Sequence, residues 1–397
     1  MVRRGYEKAL GFFIGLGLLA APLAGLSVRP GMPVPSAGAK VVTVGPGARD
    51  FPTVREALRS VPAGSVLELA GTAFTEGEIE VTKDIFLRGS ASRETLLQAS
   101  ASPESSTERV LRVAEGVTVV LSDLTLRHGN PKGACPRGGG GILNYGALWL
   151  DRCVLADNVG QCGGGIENRG GSVRAFDCMF LRNEAAGGFT EDNAASRGSG
   201  GGIKNSRGEV FLENCTFAYN RARKKGGAVK NCCEGTLTLR NCTLVHNESV
   251  SGALHSKGAL EVDHCTIAFN RAPNSYGAGL FLASSAVIRN TIVAGNDAGD
   301  FLVELENPDS EVRIENLWLG RDPTGSGTFS GDPLLGPLGD HGGPTWTCLP
   351  LPGSPVVDAG SSPAGSPSLD QRGLPRTSGR APDLGAVEIQ SRDPGRE

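Results

Sequence analysis

Short runs in which apolar and polar residues alternate recur along most of this chain: "VFLENCTF" (Val210–Phe217), "LTLRNCTL" (Leu237–Leu244) and "LEVDHCTI" (Leu260–Ile267). Alternation at period two, in segments too short for helices, predicts β-strands. The segments align on one slot, occupied by Leu124, Cys153, Cys178, Cys215, Cys242, Cys265 and Thr291. Aliphatic or small residues stand three and five places before it, and Leu, Phe, Ile or Val two places after. Five places after the slot come Asn158, Asn183, Asn220, Asn247, Asn270 and Asn296. The other half of the unit is a glycine-led phrase: "GGILN" (Gly140–Asn144), "GGIEN" (Gly164–Asn168), "GGIKN" (Gly201–Asn205), "GAVKN" (Gly227–Asn231) and "GALHS" (Gly252–Ser256).

The steps between slots run at roughly 25 residues, except the step of 37 from Cys178 to Cys215. That step holds the polar insertion "GGFTEDNAASRGSG" (187–200), which must protrude as a loop. Several short strands per repeat, broken by Gly and Asn, disfavour helical solenoids and leucine-rich repeats. They predict an all-β fold: a single-stranded parallel β-helix of about ten coils, each stacked on the next at about 4.8 Å. A short amphipathic helix is predicted at 53–61. Thr53 and Glu56 form a capping box, and Val54, Ala57, Leu58 and Val61 share one apolar face.

Outside the repeat, "MVRRGYEK" is a basic start and Ala9–Leu26 an uninterrupted apolar run, which reads as an export signal over 1–27. The run approaches membrane-spanning length, so an uncleaved anchor is the other reading. Residues 28–40 are a Pro/Gly/Ser linker, 41–325 the β-helix, 326–390 a C-terminal module and 391–397 a tail. A net charge of −3 gives no reason to expect nucleic acid as partner, and the only membrane contact expected is through the N-terminal segment. Fifty-eight glycines beside 5% aromatic residues fit a core of small aliphatic contacts joined by many tight turns.

In a β-helix every repeated slot becomes a ladder of stacked side chains. A slot that accepts Leu, Cys and Thr is an interior position, so Cys153, Cys178, Cys215, Cys242 and Cys265 are read as core filling ahead of stacked disulfides or metal. A zinc site needs four ligands converging on one point, and a ladder spreads them along a line; no metal is expected. Asn158, Asn183, Asn220, Asn247 and Asn270 are read as turn builders in left-handed conformation, with amides pairing along the stack. Cys135 and Cys162 precede glycine-led phrases in consecutive coils, a placement that suits a loop–loop disulfide; the partners of Cys232, Cys233 and Cys348 are not readable. The variable slot of the glycine-led phrase reads Leu143, Glu167, Lys204, Lys230, His255 and Phe281. Glu167, Lys204, Lys230 and His255 are expected as a charged outer strip able to grip a glycan. A second outward slot, Glu213, Arg240, Asp263 and Arg289, alternates in sign and suits a cross-strand ion-pair ladder.

The phrases "GGI.N" and "L.L.NCTF..N" resemble the right-handed β-helices of the pectin-lyase-like superfamily, and in particular GGA-I and polymorphic outer-membrane-protein repeats. The stretch from Val41 to Ser90 is similar to the opening of pectinesterases, which implies that the helix at 53–61 is a lid over the first coil, and Asp332–Glu388 resembles the choice-of-anchor Q module of bacterial surface proteins. The resemblance implies a secreted, cell-surface or outer-membrane protein. Enzymes of the superfamily need an acidic calcium cluster with Arg or Lys as base, Asp clusters on adjacent coils, or an Asp pair with Arg and Gln. The outward slots here alternate carboxylate with Arg, or interrupt it with apolar residues. The leading expectation is therefore an adhesin-like or glycan-binding scaffold, monomeric, without catalysis or cofactor. Its partner would be a polysaccharide or other cell-surface ligand. The alternative is a polysaccharide lyase or glycoside hydrolase acting on acidic polysaccharide, and Ca²⁺ would enter only with the lyase reading.

Overall fold

The computed structural model describes residues 29–90, 94–132, 138–187, 198–273, 277–320 and 327–390. They form the expected right-handed parallel β-helix. One face is a nine-stranded parallel sheet running from Ile79–Val81 to Phe301–Val303 in chain order. Each coil then turns and gives two short strands to a long parallel sheet, as Glu209–Glu213 and Thr216–Ala218 do. A three-stranded sheet of two-residue strands (Val159–Gly160, Glu184–Ala185, Arg221–Ala222) closes the third side. The last strand, Thr328–Ser330, joins the long sheet beyond the boundary expected at 325.

The corner within the long sheet falls one residue before the cysteine slot. Asp123, Arg152, Asp177, Asn214, Asn241, His264 and Asn290 all hold left-handed backbone there, with φ of 47–56°. Most of these are residue types that tolerate that region. The expected site of the left-handed turn is thereby corrected. Asn158, Asn183, Asn220, Asn247 and Asn270 are not the left-handed residues; Asp157, Arg182, Tyr219, His246 and Phe269 immediately before them are. The asparagines point inward and are fully buried. Each Nδ2 donates to the Oδ1 of the next rung (Asn158 to Asn183 3.0 Å, Asn183 to Asn220 3.0 Å, Asn220 to Asn247 2.9 Å) and to a carbonyl of the preceding coil. A second amide ladder runs Asn144–Asn168–Asn205–Asn231 at 2.7–2.9 Å. Both ladders saturate buried amides, which would otherwise be costly to bury.

Cys153, Cys178, Cys215, Cys242 and Cys265 are fully buried in one core column with Leu124. No disulfide joins them; the Cys178 sulfur accepts the backbone N–H of Cys153 at 3.3 Å, and the Thr291 hydroxyl accepts that of Cys265. Phe180 and Phe217 stack in the same core with centroids 4.3 Å apart. Cys162 is buried, whereas Cys135 lies outside the described residues, and so does any pairing between them.

The lid is the helix Val54–Ser60 (α1), and its Thr53 cap accepts the Glu56 N–H at 3.2 Å. The Val54 and Arg55 N–H groups go instead to the Glu76 carboxylate, at 2.8 and 3.0 Å. The 28–40 stretch is not a free linker. From residue 29 it lies on the outer face of the long sheet, where Arg29 pairs with Asp151 and Asp177 and Met32 packs with Trp149 and Phe176. The C-terminal segment likewise straps back over the other half of that sheet. Gln371 bonds Thr216 and Thr243, Arg376 reaches Asn241, and the Ala386 N–H meets Thr266. The "DQRG" and "DLGAVE" phrases thus form a buried polar latch: Arg372 pairs with Asp370, and the Asp383 N–H donates to Glu388. Among the described residues no helix is long and apolar enough to cross a membrane; the apolar run at 9–26 lies outside them.

Candidate functional site

The variable slot of the glycine-led phrases is one continuous column. Cα pairing runs Glu80–Arg112–Leu143–Glu167–Lys204–Lys230–His255–Phe281 across the nine-stranded sheet. The structure brings the four expected residues together, but not as an exposed strip. Glu167, Lys204, Lys230 and His255 are 2%, 9%, 5% and 0% exposed. The cause is the glycine that leads each strand. At Gly163 (φ 57°) and Gly226 (φ 68°) the chain doubles back so tightly that a Cβ would lie 2.2–2.4 Å from a carbonyl of the following strand. The preceding loop is therefore laid over that strand's outer face. Gly138, in the loop before the neighbouring strand Ile142–Asn144, sits on the Glu167 carboxylate, and Ser251 Oγ, in the loop before His255, lies 3.1 Å from His255 Nδ1.

Burial sorts the covered groups. Glu167 is paired on both sides, with Arg169 at 3.1 Å and Lys204 at 3.6 Å. Burial works against the Lys204 charge, yet the Cys162 and Glu167 side chains hold its ammonium above the usual lysine value. Lys230 has no such carboxylate. Burial pushes it down to about 7, and its Nζ has no hydrogen-bond partner among the described residues. Burial and the neighbouring Lys230 push His255 to about 2, so its ring is neutral, stacked on Phe281 with centroids 4.2 Å apart.

The column opens at its other end. In the first two coils no left-handed glycine leads the strand, and the side chains of Glu80 and Arg112 are 53% and 41% exposed, 3.6 Å apart. Helix α1 stands beside them. Arg55 and Arg59 project from one face of α1 and, with Leu58, Glu78, Lys83 and Arg112, line a cleft of about 500 Å³. Four cations face two carboxylates there. Glu78 is already committed to the buried Arg109 at 2.9 Å, and Arg109 also donates to the Gly138 carbonyl. Lys83 caps α1 by donating to the Val61 carbonyl at 2.8 Å. The Arg112 guanidinium lies over the Tyr145 ring, 5.7 Å from its centroid, and its Nε has no partner among the described residues. The cleft is lined by more cations than carboxylates, and Tyr145 packs beneath one of them.

Sequence reasoning passed over Glu80 and Arg112 because their coils carry no glycine-led phrase to fix the register. The readable signal was the alternation "IEV" (Ile79–Val81) and "LRV" (Leu111–Val113), apolar residues flanking one charged position. The second outward slot forms only in part. Arg289 bonds Glu315 at 3.4 Å, but Arg240 and Arg289 share Glu261, two places off the slot. Asp263 turns to His264 at 2.8 Å. Among the described residues no group of three His, Cys, Asp or Glu side chains could hold a metal ion.

The family profile described as "Right handed beta helix region" matches residues 140–316. No curated protein matches the sequence. Among solved structures, the crystal structure of pectate lyase Pel9A is similar, with a TM-score of 0.52 and 14% identity over 88% of this chain and 97% of that one. At that identity the likeness speaks to the fold. Parallel pairing of the named strands, stacked amide and thiol ladders and both comparisons agree: this chain is a right-handed parallel β-helix.

Proposed function

We propose that this protein is an exported β-helix scaffold that binds acidic polysaccharide without catalysis, through the cleft beneath helix α1. The observation that carries the reading is the convergence of Arg55, Arg59, Lys83 and Arg112 around a cleft of about 500 Å³. Guanidinium groups match carboxylate geometry in bidentate fashion, and the Tyr145 ring lies against one of them, Arg112. A chain of uronate sugars presents one carboxylate per ring and suits such a lining. Two further features support a binding role. The outer faces of the long sheet are occupied by the chain's own segments, Arg29–Met32 and the C-terminal latch. The basic, apolar N-terminus and the anchor-like tail phrases fit delivery to a surface.

The test uses polygalacturonate as the acidic polymer and a neutral galactan as its control. The full chain should retain the acidic polymer only, with binding that weakens as salt rises. Arg55→Glu with Arg59→Glu, both at surface positions of α1, should reduce binding at least about tenfold, the equivalent of about 1.4 kcal/mol. Equal retention of the neutral polymer, or unchanged binding by the variant, would overturn the proposal. New unsaturated ends absorbing in the ultraviolet, with or without Ca²⁺, would replace it with the lyase reading.

A further inference from the structure

The turn after Asn231 departs from its counterparts. In the other coils the ladder side chain bonds the carbonyl of a glycine two or three residues on: Asn144 to Gly146, Asn168 to Gly171, Asn205 to Gly208 and Ser256 to Gly258. Asn231 reaches four residues on, to Gly235. The longer turn contains Cys232 and Cys233. Cys233 and Glu234 are both left-handed, at φ 58° and 66°, and two consecutive non-glycine residues in that region are uncommon. The bend brings the two sulfurs together: Cys233 Sγ donates to Cys232 Sγ at 3.2 Å. Cys232 is buried and held by the Asn205 carbonyl at 3.3 Å, whereas Cys233 is exposed. They are unlike the cysteine column, whose thiols are enclosed in the core.

A second observation points the same way. Lys230 and Cys232 lie on the same face of the strand Val229–Cys232, two residues apart. Lys230 is 5% exposed and its Nζ has no hydrogen-bond partner among the described residues. Cys232 is the first anion-forming group in its field, and Cys233 the next. Lys204 and Arg207 act in the same sense on Cys233, although burial and the Cys232 contact keep its thiol above the usual value. Lys230 is neutral where thiols ionise, so the positive charge a Cys233 thiolate meets is that of Lys204 and Arg207.

We propose that Cys232 and Cys233 form an oxidisable dithiol that closes to a vicinal disulfide by exchange with a low-molecular-weight disulfide. The exposed Cys233 thiolate attacks one sulfur of oxidised glutathione. The glutathione S–S bond breaks, and the expelled glutathione thiolate takes up the proton from Cys233. Cys232 Sγ then attacks Cys233 Sγ, forming the eight-membered ring and expelling the second glutathione, which takes up the proton from Cys232. Two cysteines lose two electrons and one glutathione disulfide becomes two thiols, so atoms and electrons balance. The proposal does not depend on the glycan reading.

The experiment treats the full chain with oxidised glutathione, blocks remaining thiols by alkylation and maps the peptides by mass spectrometry. The peptide holding Cys232 and Cys233 should lose two hydrogens, resist alkylation and carry no glutathione. Reducing agent should restore both thiols, while Cys153, Cys178, Cys215, Cys242 and Cys265 stay unmodified throughout. Cys232→Ser should trap glutathione on Cys233, because the resolving sulfur is gone. A stable glutathione adduct on the unsubstituted chain, or Cys233 joined to any other cysteine, would overturn the proposal. So would a Cys232→Ser protein that takes up no glutathione.

Discussion

The same column of the nine-stranded sheet has two characters. From Glu167 to His255 its side chains are buried under the loops that precede each strand; at Glu80 and Arg112 they face water and a cleft. Sheet, register and side-chain direction are shared, so none of these explains the difference. What differs is the chain just upstream. Wherever a left-handed glycine leads the strand, the backbone folds over the outer face and turns an exposed charge into an interior one. In the early coils the approach is open and α1 brings its own cations. In this β-helix the loops decide which rung of a ladder is open to solvent and which is interior.

The sharpest way to break the comparison is to delete one partner at each end. Among the described residues Glu167 is the only carboxylate paired with Lys204, and it also holds Arg169. Glu167→Ala would leave a buried ammonium without a counter-charge, and removing one member of such a pair costs about 3–5 kcal/mol. Urea unfolding of the full chain should show that loss. A change under about 1 kcal/mol would mean that the covered middle is wet, and that the two ends do not differ as described.

Lys230 sharpens the contrast from the opposite side, because it is covered without being paired. Its folded-state value, about 7, lies below the ordinary lysine value of 10.5. Between those limits the unfolded chain binds a proton that the folded chain has shed. The stability term from this group therefore rises with pH from about 7 to about 10, and below 7 its burial penalty is fully present. Lys230→Met should abolish the rise and stabilise the protein at and below neutrality by about 1–3 kcal/mol. The readout is the difference between variant and parent, since the column thiols, pushed up by burial, pull stability the other way above their unfolded values. Parallel pH curves for the two proteins would sink the idea.

The repeat made the fold legible because a ladder writes each interior position several times. Cys215 and its equivalents, the Phe180–Phe217 stack and the register of the strip all follow from periodic spacing. The burial of the strip was less legible. "GGIKN" announces an outward Lys204 by alternation, but not that the loop before it returns to cover it, since fold-back depends on the left-handed geometry of one glycine. The asparagine slot misled for a related reason. Asn suits a left-handed turn, and the turn sits one residue away, at Arg182, Tyr219 and Phe269, residue types with no such preference. There the buried amide ladder fixes the backbone, and tertiary bonding overrides local propensity. The latch residues Gln371 and Arg376 were legible as a motif and silent about their partners, which are more than a hundred residues away.

The smallest expected effect lies at the open end. Arg112 is 41% exposed and pairs with a Glu80 that is itself more than half exposed. Exposed pairs of this kind contribute about 0–1 kcal/mol, because water screens them and two long side chains must be held in place. The cation–π contact with Tyr145 adds little more at a wet surface. Arg112→Ala should therefore shift the unfolding midpoint by less than an equivalent of about 1 kcal/mol, while Glu167→Ala, two rungs along the same column, shifts it several-fold more. The same Arg112→Ala protein should lose affinity for acidic polysaccharide if its guanidinium serves the cleft rather than the fold. Stability kept and binding weakened is the signature of an open rung. Stability lost with binding intact would make Arg112 as structural as Glu167, and the two ends of the column would be alike after all.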